Sequence, residues 1–259
     1  MSRQRIGSVF HKEVREFRRN RFVVGTMAVL PLIFLITPMI TIFKIPADAS
    51  GPQVKAAVGT ISLLLLIVPI ALPPVIAAYS VVGERDQGTL EPVLTTPVTP
   101  SELLLGKAAA AFVPSVGMAY AIYFVVLISV RVGAAPVVTD VVWNPPQLLA
   151  QLLFIPLLAL WAIWVGIGIS TRASDVRVAQ QLATLAGLPL LGLTALFSFQ
   201  VIKPSVPLAV GLALALLVVD LVAWRAVSRL FDPERLVTGR QARGVDQAAA
   251  AEEPSASTT

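Results

Sequence analysis

Residues 56–82 read AAVGTISLLLLIVPIALPPVIAAYSVV, a run of 27 residues without a charged side chain. A transmembrane helix needs about 20 mostly apolar residues to cross a hydrocarbon core about 30 Å thick. Five further stretches meet the same requirement, at residues 22–43, 108–130, 147–170, 178–202 and 206–224. The sequence therefore predicts an all-α integral membrane protein with about six transmembrane helices.

The composition of the whole chain agrees with this fold class. Hydrophobic residues make up 56% of the 259 residues, charged residues only 14%, and the mean hydropathy is +0.81. Soluble domains average 45–50% apolar residues, so this chain has too little polar surface to cover a water-soluble core. The formal charge of +5 comes largely from seven Lys and Arg residues before residue 22, which favours membrane attachment over nucleic-acid binding. Cysteine is absent, which excludes disulfides, thiolate metal sites and a Cys nucleophile.

Two boundaries leave alternatives open. The fourth and fifth stretches are separated only by TRASDVR at residues 171–177, so they could form one re-entrant hairpin instead of two spans. Ala47-Asp48-Ala49 resembles a signal-peptide cleavage site after the first apolar stretch. The apolar core of a signal peptide has about 7–15 residues, and this stretch has 22, so we expect the first span to be retained.

The distribution of Lys and Arg predicts the orientation in the cell membrane. With the N-terminus inside, sixteen basic residues lie on the cytoplasmic side and four on the outside, at Lys44, Lys55, Arg131 and Lys203. Cytoplasmic loops carry an excess of Lys and Arg. We therefore expect a multi-pass protein in the plasma or inner membrane with both termini cytoplasmic.

The segments at the two ends differ in character. Residues 3–21 place apolar side chains at spacings of three and four between basic ones, which predicts an amphipathic helix. Its basic face suits a position on the inner leaflet, although a leader whose charges only set topology remains an alternative. The predicted division is an interfacial helix at 1–21, a six-span domain at 22–230 and a largely disordered cytoplasmic tail at 231–259, which ends in Ala, Glu, Pro, Ser and Thr.

The connection between the second and third spans carries the most information. Residues 83–107 read GERDQGTLEPVLTTPVTPSELLLGK, with four acidic and two basic side chains. Gly88 permits a tight bend, residues 89–95 could form a short helix, and Pro97 and Pro100 interrupt regular structure. Ser101 is a candidate cap for the helix that leads into the third span. The alternative is a solvated connector whose Gly and Pro only mark turns.

This loop resembles the coupling loop of permeases of ATP-binding-cassette (ABC) transporters of the type-2 export family. The resemblance implies an amphipathic N-terminal helix followed by six spans, with the 83–107 loop seated in a groove of an ATPase subunit. The residues that carry the resemblance, and that are the candidate coupling residues, are Glu84, Gly88, Thr89, Leu90, Glu91, Pro97, Glu102, Gly106 and Lys107. The short loop with Arg172, Asp175 and Arg177 is a candidate second contact.

The chemistry of ATP hydrolysis is missing from this chain. Its Gly-Lys pair, Gly106-Lys107, lacks the preceding glycine and following Ser or Thr of a phosphate-binding loop. One histidine, His11, cannot supply a zinc-protease motif or a catalytic triad, so no catalytic residue and no metal site are predicted. The resemblance implies that ATP and Mg bind to separate P-loop ATPase subunits beneath two permease chains, identical or related. The chain is thus expected not to be an enzyme by itself.

Asp220 is the clear case of an ionisable residue within a predicted span. Such a charge is costly and usually faces protein or water. It could line a translocation path, or it could pair with Arg225 near the cytoplasmic end, and we favour the pairing. The scarcity of other charges at membrane depth disfavours a gradient-driven secondary transporter or channel, and the missing catalytic sets disfavour a membrane enzyme. The sequence does not identify the substrate.

Overall fold

The computed structural model describes residues 2–79, 82, 98–173 and 175–230, apart from the side chain at position 22. These residues form helices and no strand. The helices are α1 (Arg3–Arg19), α2 (Arg21–Lys44), α3 (Gly51–Ala78), α4 (Pro100–Gly133), α5 (Pro136–Val142), α6 (Pro145–Ser170), α7 (Val176–Ser198) and α8 (Val206–Leu230). The predicted all-α fold is confirmed.

Six of these helices are long and apolar enough to cross a membrane, namely α2, α3, α4, α6, α7 and α8. They coincide with the six predicted spans. Helices α6 and α7 have 26 and 23 residues, so each is long enough to cross a membrane alone, which favours two spans over the re-entrant hairpin. The short helix α5 was not predicted, because seven residues are too few to show a periodic pattern.

Helix α3 is the centre of the bundle. It packs against α2, α4, α6 and α7, and most of its surface is buried. The apolar residues of α3 are distributed around its whole circumference, which is the pattern expected of a helix enclosed by other helices. Ser62 is a polar exception in its interior, and it is paired: the Gln147 Nε2 donates to Ser62 Oγ at 2.9 Å, and the Gln151 Nε2 donates to the Ser62 carbonyl at 2.9 Å.

One end of the bundle gathers the segments that flank the 83–107 loop. A single apolar cluster joins α1 to the end of α3, the beginning of α4 and the ends of α6 and α8. A smaller cluster packs Ala78, the last residue of α3, and Val82 against Ala179 at the beginning of α7. The two predicted contact regions, the 83–107 loop and the 171–177 loop, therefore begin at the same end of the molecule.

Candidate coupling site

The beginning of α4 is fixed by a capping box. Thr99 is the N-cap, its side chain accepts a hydrogen bond from the Glu102 backbone N–H, and the Glu102 carboxylate accepts one from the Thr99 N–H at 3.1 Å. Pro100 occupies the first helical position, where its missing N–H costs nothing. The prediction that Ser101 caps this helix is wrong by two residues, because Thr99 and Glu102 have the Thr-x-x-Glu spacing that satisfies two helix donors reciprocally.

Glu102 also binds the N-terminal segment. Its Oε1 accepts a hydrogen bond from the Ser2 backbone N–H at 2.6 Å, and the Arg5 guanidinium lies 3.7 Å from its Oε2. The carboxylate is almost completely buried, although it lies near the end of a helix. Glu102 therefore joins the first turn of α1 to the first turn of α4.

Gly106 lies in close contact with α1. A Cβ atom at this position would lie 2.5 Å from the Val9 Cγ1 and 3.3 Å from the Ile6 carbonyl oxygen. Real side chains do not approach this closely, so a larger residue at position 106 would push α1 away. Glycine is required here by close approach of the two helices.

Lys107 makes a buried ion pair with α1. Its Nζ lies 2.7 Å from the Glu13 Oε1, and the side chains of both residues are at most 1% exposed. Lys12 Nζ lies 3.6 Å from the same oxygen, at the partly exposed edge of the site. A lysine and a glutamate are rarely buried unless they are paired, so this contact fixes the relative position of the two helices.

Glu13 was missed by the sequence analysis, although a signal was present. Val9, Glu13 and Phe17 follow one another at intervals of four residues and are the buried residues of α1. A carboxylate in the middle of an apolar stripe indicates a buried partner of opposite charge. The predicted helix at 3–21 does form, over Arg3–Arg19, and its apolar stripe packs against α4; its position on the inner leaflet stays a prediction.

The predicted coupling residues divide into two groups. Glu102, Gly106 and Lys107 are described, and all three contact α1. The others lie outside the described residues, as does the predicted tail at 231–259: Glu84, Gly88, Thr89, Leu90, Glu91 and Pro97. A direct contact between any of these residues and an ATPase stays a prediction.

The predicted second contact occupies the turn between α6 and α7. Asp175 is the N-cap of α7, and its side chain accepts a hydrogen bond from the Arg177 backbone N–H. Both arginines of this loop, Arg172 and Arg177, have exposed side chains. Asp175 therefore has a structural role in starting α7, whereas the arginines present positive charge at the end of the bundle.

Asp220 is buried in α8, and the expected pairing with Arg225 is absent. Neither carboxylate oxygen of Asp220 has a hydrogen-bond partner among the described residues, and Arg225 instead donates to the Leu221 carbonyl on the exposed side of the helix. Arg225 follows Asp220 by five positions, which is about half a turn more than one full helical turn. The two side chains therefore lie on different faces of α8. Within the described ranges, no group of three or more His, Cys, Asp or Glu residues could hold a metal ion.

Comparison with known proteins adds the family. The family model described as ABC-2 family transporter protein matches residues 8–230. The chain belongs to the ABC-2 transporter family. A comparison with curated proteins found no match.

Membership in the ABC-2 family explains the overall layout. The matched range begins within α1 and ends at the last residue of α8, so it contains all six helices that can cross a membrane. This ABC-2 protein is a multi-pass membrane component of a transporter, and the predicted resemblance is confirmed at that level.

Proposed function

We propose that this chain is the permease subunit of an ABC exporter. Two permease chains, two copies of this one or this chain with a related one, would form the translocation path, and separate P-loop ATPase subunits would bind ATP and Mg. The observation that carries the proposal is the family match across all six spans, together with the loop GERDQGTLEPVLTTPVTPSELLLGK between the second and third.

The position of the loop supports a coupling role. The loop connects the end of the central helix α3 to the beginning of α4, so a displacement of the loop acts on two packed spans at once. Packed helices respond to such a displacement by moving as rigid bodies. Closure of the ATPase subunits against the loop would therefore change the opening of the translocation path. In this arrangement both chain termini lie on the cytoplasmic side, where the ATPase subunits are.

The test is affinity purification of the tagged chain in mild detergent from its native membrane. We expect P-loop ATPase subunits to co-purify, with ATP hydrolysis that vanadate inhibits. Glu91→Arg reverses a charge within the loop motif and should reduce both co-purification and hydrolysis by about tenfold, a typical size for coupling between sites. Asp140→Arg is the matched control, because Asp140 is an exposed acidic residue in α5, and it should leave both unchanged.

Either of two outcomes would contradict the proposal. If the tagged chain purifies without any ATPase subunit under conditions that preserve other membrane complexes, a transporter driven by an ion gradient becomes the better explanation. If Glu91→Arg and Asp140→Arg have equal effects, the 83–107 loop is not the coupling element.

A further inference from the structure

We propose that Glu13 and Lys107 are positioning residues that lock α1 to the beginning of α4, so that α1 and the C-terminal part of the 83–107 loop move as one body during transport. This inference rests on the proposed function for its effect on ATP hydrolysis. The locking itself is a property of the permease chain. Glu102, Gly106 and Lys107 would then act through α1.

The first observation is that three motif residues of the loop have the same neighbour. Glu102 binds the Ser2 N–H, Gly106 lies against Val9, and Lys107 pairs with Glu13. The contacts occur in the same order along both segments, which spreads the attachment over most of the length of α1. A loop residue that only punctuated a turn would need no such partner.

The second observation is the chemistry of the pair. Glu13 and Lys107 are both at most 1% exposed, with 2.7 Å between the Lys107 Nζ and the Glu13 Oε1. An apolar pair of similar volume often stabilises a protein as well as a buried ion pair does. The best-attested use of a buried polar pair is to fix the alignment of two helices, because an unpaired charge penalises any other alignment.

The third observation is the length of α4. Its 34 residues span about 51 Å, well beyond a hydrocarbon core of about 30 Å. The first turns of α4 can therefore extend past the hydrocarbon core, where α1 covers them. When α1 and α4 are locked, a displacement of the loop moves both helices together. When they are not locked, α4 can move without α1.

The first experiment measures the locking in the permease chain alone. The chain contains no cysteine, so Ser8→Cys on α1 and Val113→Cys on α4, both exposed, give two specific spin-label sites. We expect a narrow distribution of distances between the labels in nanodiscs. Lys107→Met should widen it by about twofold or more, because half-buried Lys12 is then left to hold Glu13 at the wrong alignment.

Two compensating variants separate alignment from simple stability. The exchange of charges, Glu13→Lys with Lys107→Glu, should restore the narrow distribution. The neutral pair, Glu13→Gln with Lys107→Met, removes the buried carboxylate that has lost its lysine partner, so it should recover the thermal midpoint that Lys107→Met lowers but leave the distribution wide. A neutral pair that restores both the thermal midpoint and the narrow distribution would overturn the proposal, because Glu13 and Lys107 would then contribute only packing volume.

A glycine variant tests the same attachment without altering charge. Gly106→Ala places a methyl group against Val9 and should widen the distance distribution in the same way. Gly117→Ala is the matched control in the same helix, since a Cβ at position 117 has no neighbour within 4 Å. Equal narrow distributions in both variants would also overturn the proposal, and this arm remains informative if Lys107→Met does not fold.

The second experiment measures vanadate-sensitive ATP hydrolysis of the complex purified with its ATPase subunits. Lys107→Met and Gly106→Ala should reduce it by about tenfold, and the charge exchange should recover most of it. Rates that stay within about twofold of the parent in all variants would contradict the role in coupling. Absence of an ATPase subunit counts against the proposed function alone, because the spin-label distances need no partner.

Discussion

Gly187 allows α7 to lie directly against α3. A Cβ atom at this position would lie 2.5 Å from the Ile70 Cγ2, and Ile70 is itself buried and branched at its β-carbon, so it has little room to move. We expect Gly187→Ala to lower the free energy of unfolding by about 1–3 kcal/mol through overpacking. The measurement is the thermal unfolding midpoint in detergent.

Gly192→Ala is the control for this prediction. Gly192 lies in the same helix, and a Cβ atom at this position would have no neighbour within 4 Å, so its substitution should leave the midpoint unchanged or raise it slightly. Equal midpoints for the two variants would show that α7 and α3 do not approach as closely as described.

Single residues also show where sequence reasoning stops. The spacing of Thr99 and Glu102 predicts a capping box, but Ser101 is also a good N-cap residue, so residue type alone does not identify the cap. Glu13 could be placed on the apolar stripe of α1 by helical periodicity, but its partner Lys107 lies 94 residues away in the chain. Periodicity describes one helix at a time, so it cannot name the residue that a buried charge contacts.

At the scale of helices, α3 is tied to α6 by side-chain hydrogen bonds within the bundle. Ser62→Ala removes the hydroxyl that accepts from the Gln147 amide and leaves that buried donor unpaired. Hydrogen bonds between membrane helices contribute about 1 kcal/mol, so we expect a loss of about that size in the free energy of unfolding. Reversible unfolding in mixed micelles would measure it.

Ser129→Ala provides the comparison. The Ser129 hydroxyl is exposed and donates to the Val125 carbonyl of its own helix, so its removal should change the stability by less than about 0.5 kcal/mol. If both serine variants lose the same stability, the hydrogen bond between α3 and α6 contributes nothing of its own.

The helices themselves were largely predictable, and their packing was not. Six apolar runs of sufficient length fix six spans, because the bilayer requires the length and the lack of charge directly. The central position of α3 does not follow from its composition, since α2 is equally apolar but mostly exposed. Lipid and protein interiors are both apolar, so hydropathy cannot distinguish a helix that faces one from a helix enclosed by the other.

For the whole molecule, the arrangement of spans makes a prediction about sidedness. Three spans, α2, α3 and α4, separate α1 from α5, so these two helices must lie on opposite sides of the membrane. From the excess of Lys and Arg we predict that α1 lies on the cytoplasmic side. In the cysteine-free chain, a membrane-impermeant maleimide should label Asp140→Cys in intact cells and His11→Cys only after permeabilisation.

The parent chain without cysteine measures background labelling in the same cells. Labelling of both variants in intact cells would contradict the three intervening spans. Labelling of His11→Cys alone in intact cells would show that the orientation is the reverse of the predicted one. The 83–107 loop would then lie outside, where no ATPase could reach it.

The ion pair between Glu13 and Lys107 also constrains how the protein is made. Glu13 leaves the ribosome 94 residues before Lys107, an interval of roughly 5–20 s at about 5–20 residues per second. During this time α2 and α3 are synthesised while the first helix still lacks its buried partner. Docking of α1 can follow only the synthesis of the first turns of α4, so the completed contact marks a nascent chain that has already produced its first two spans, α2 and α3.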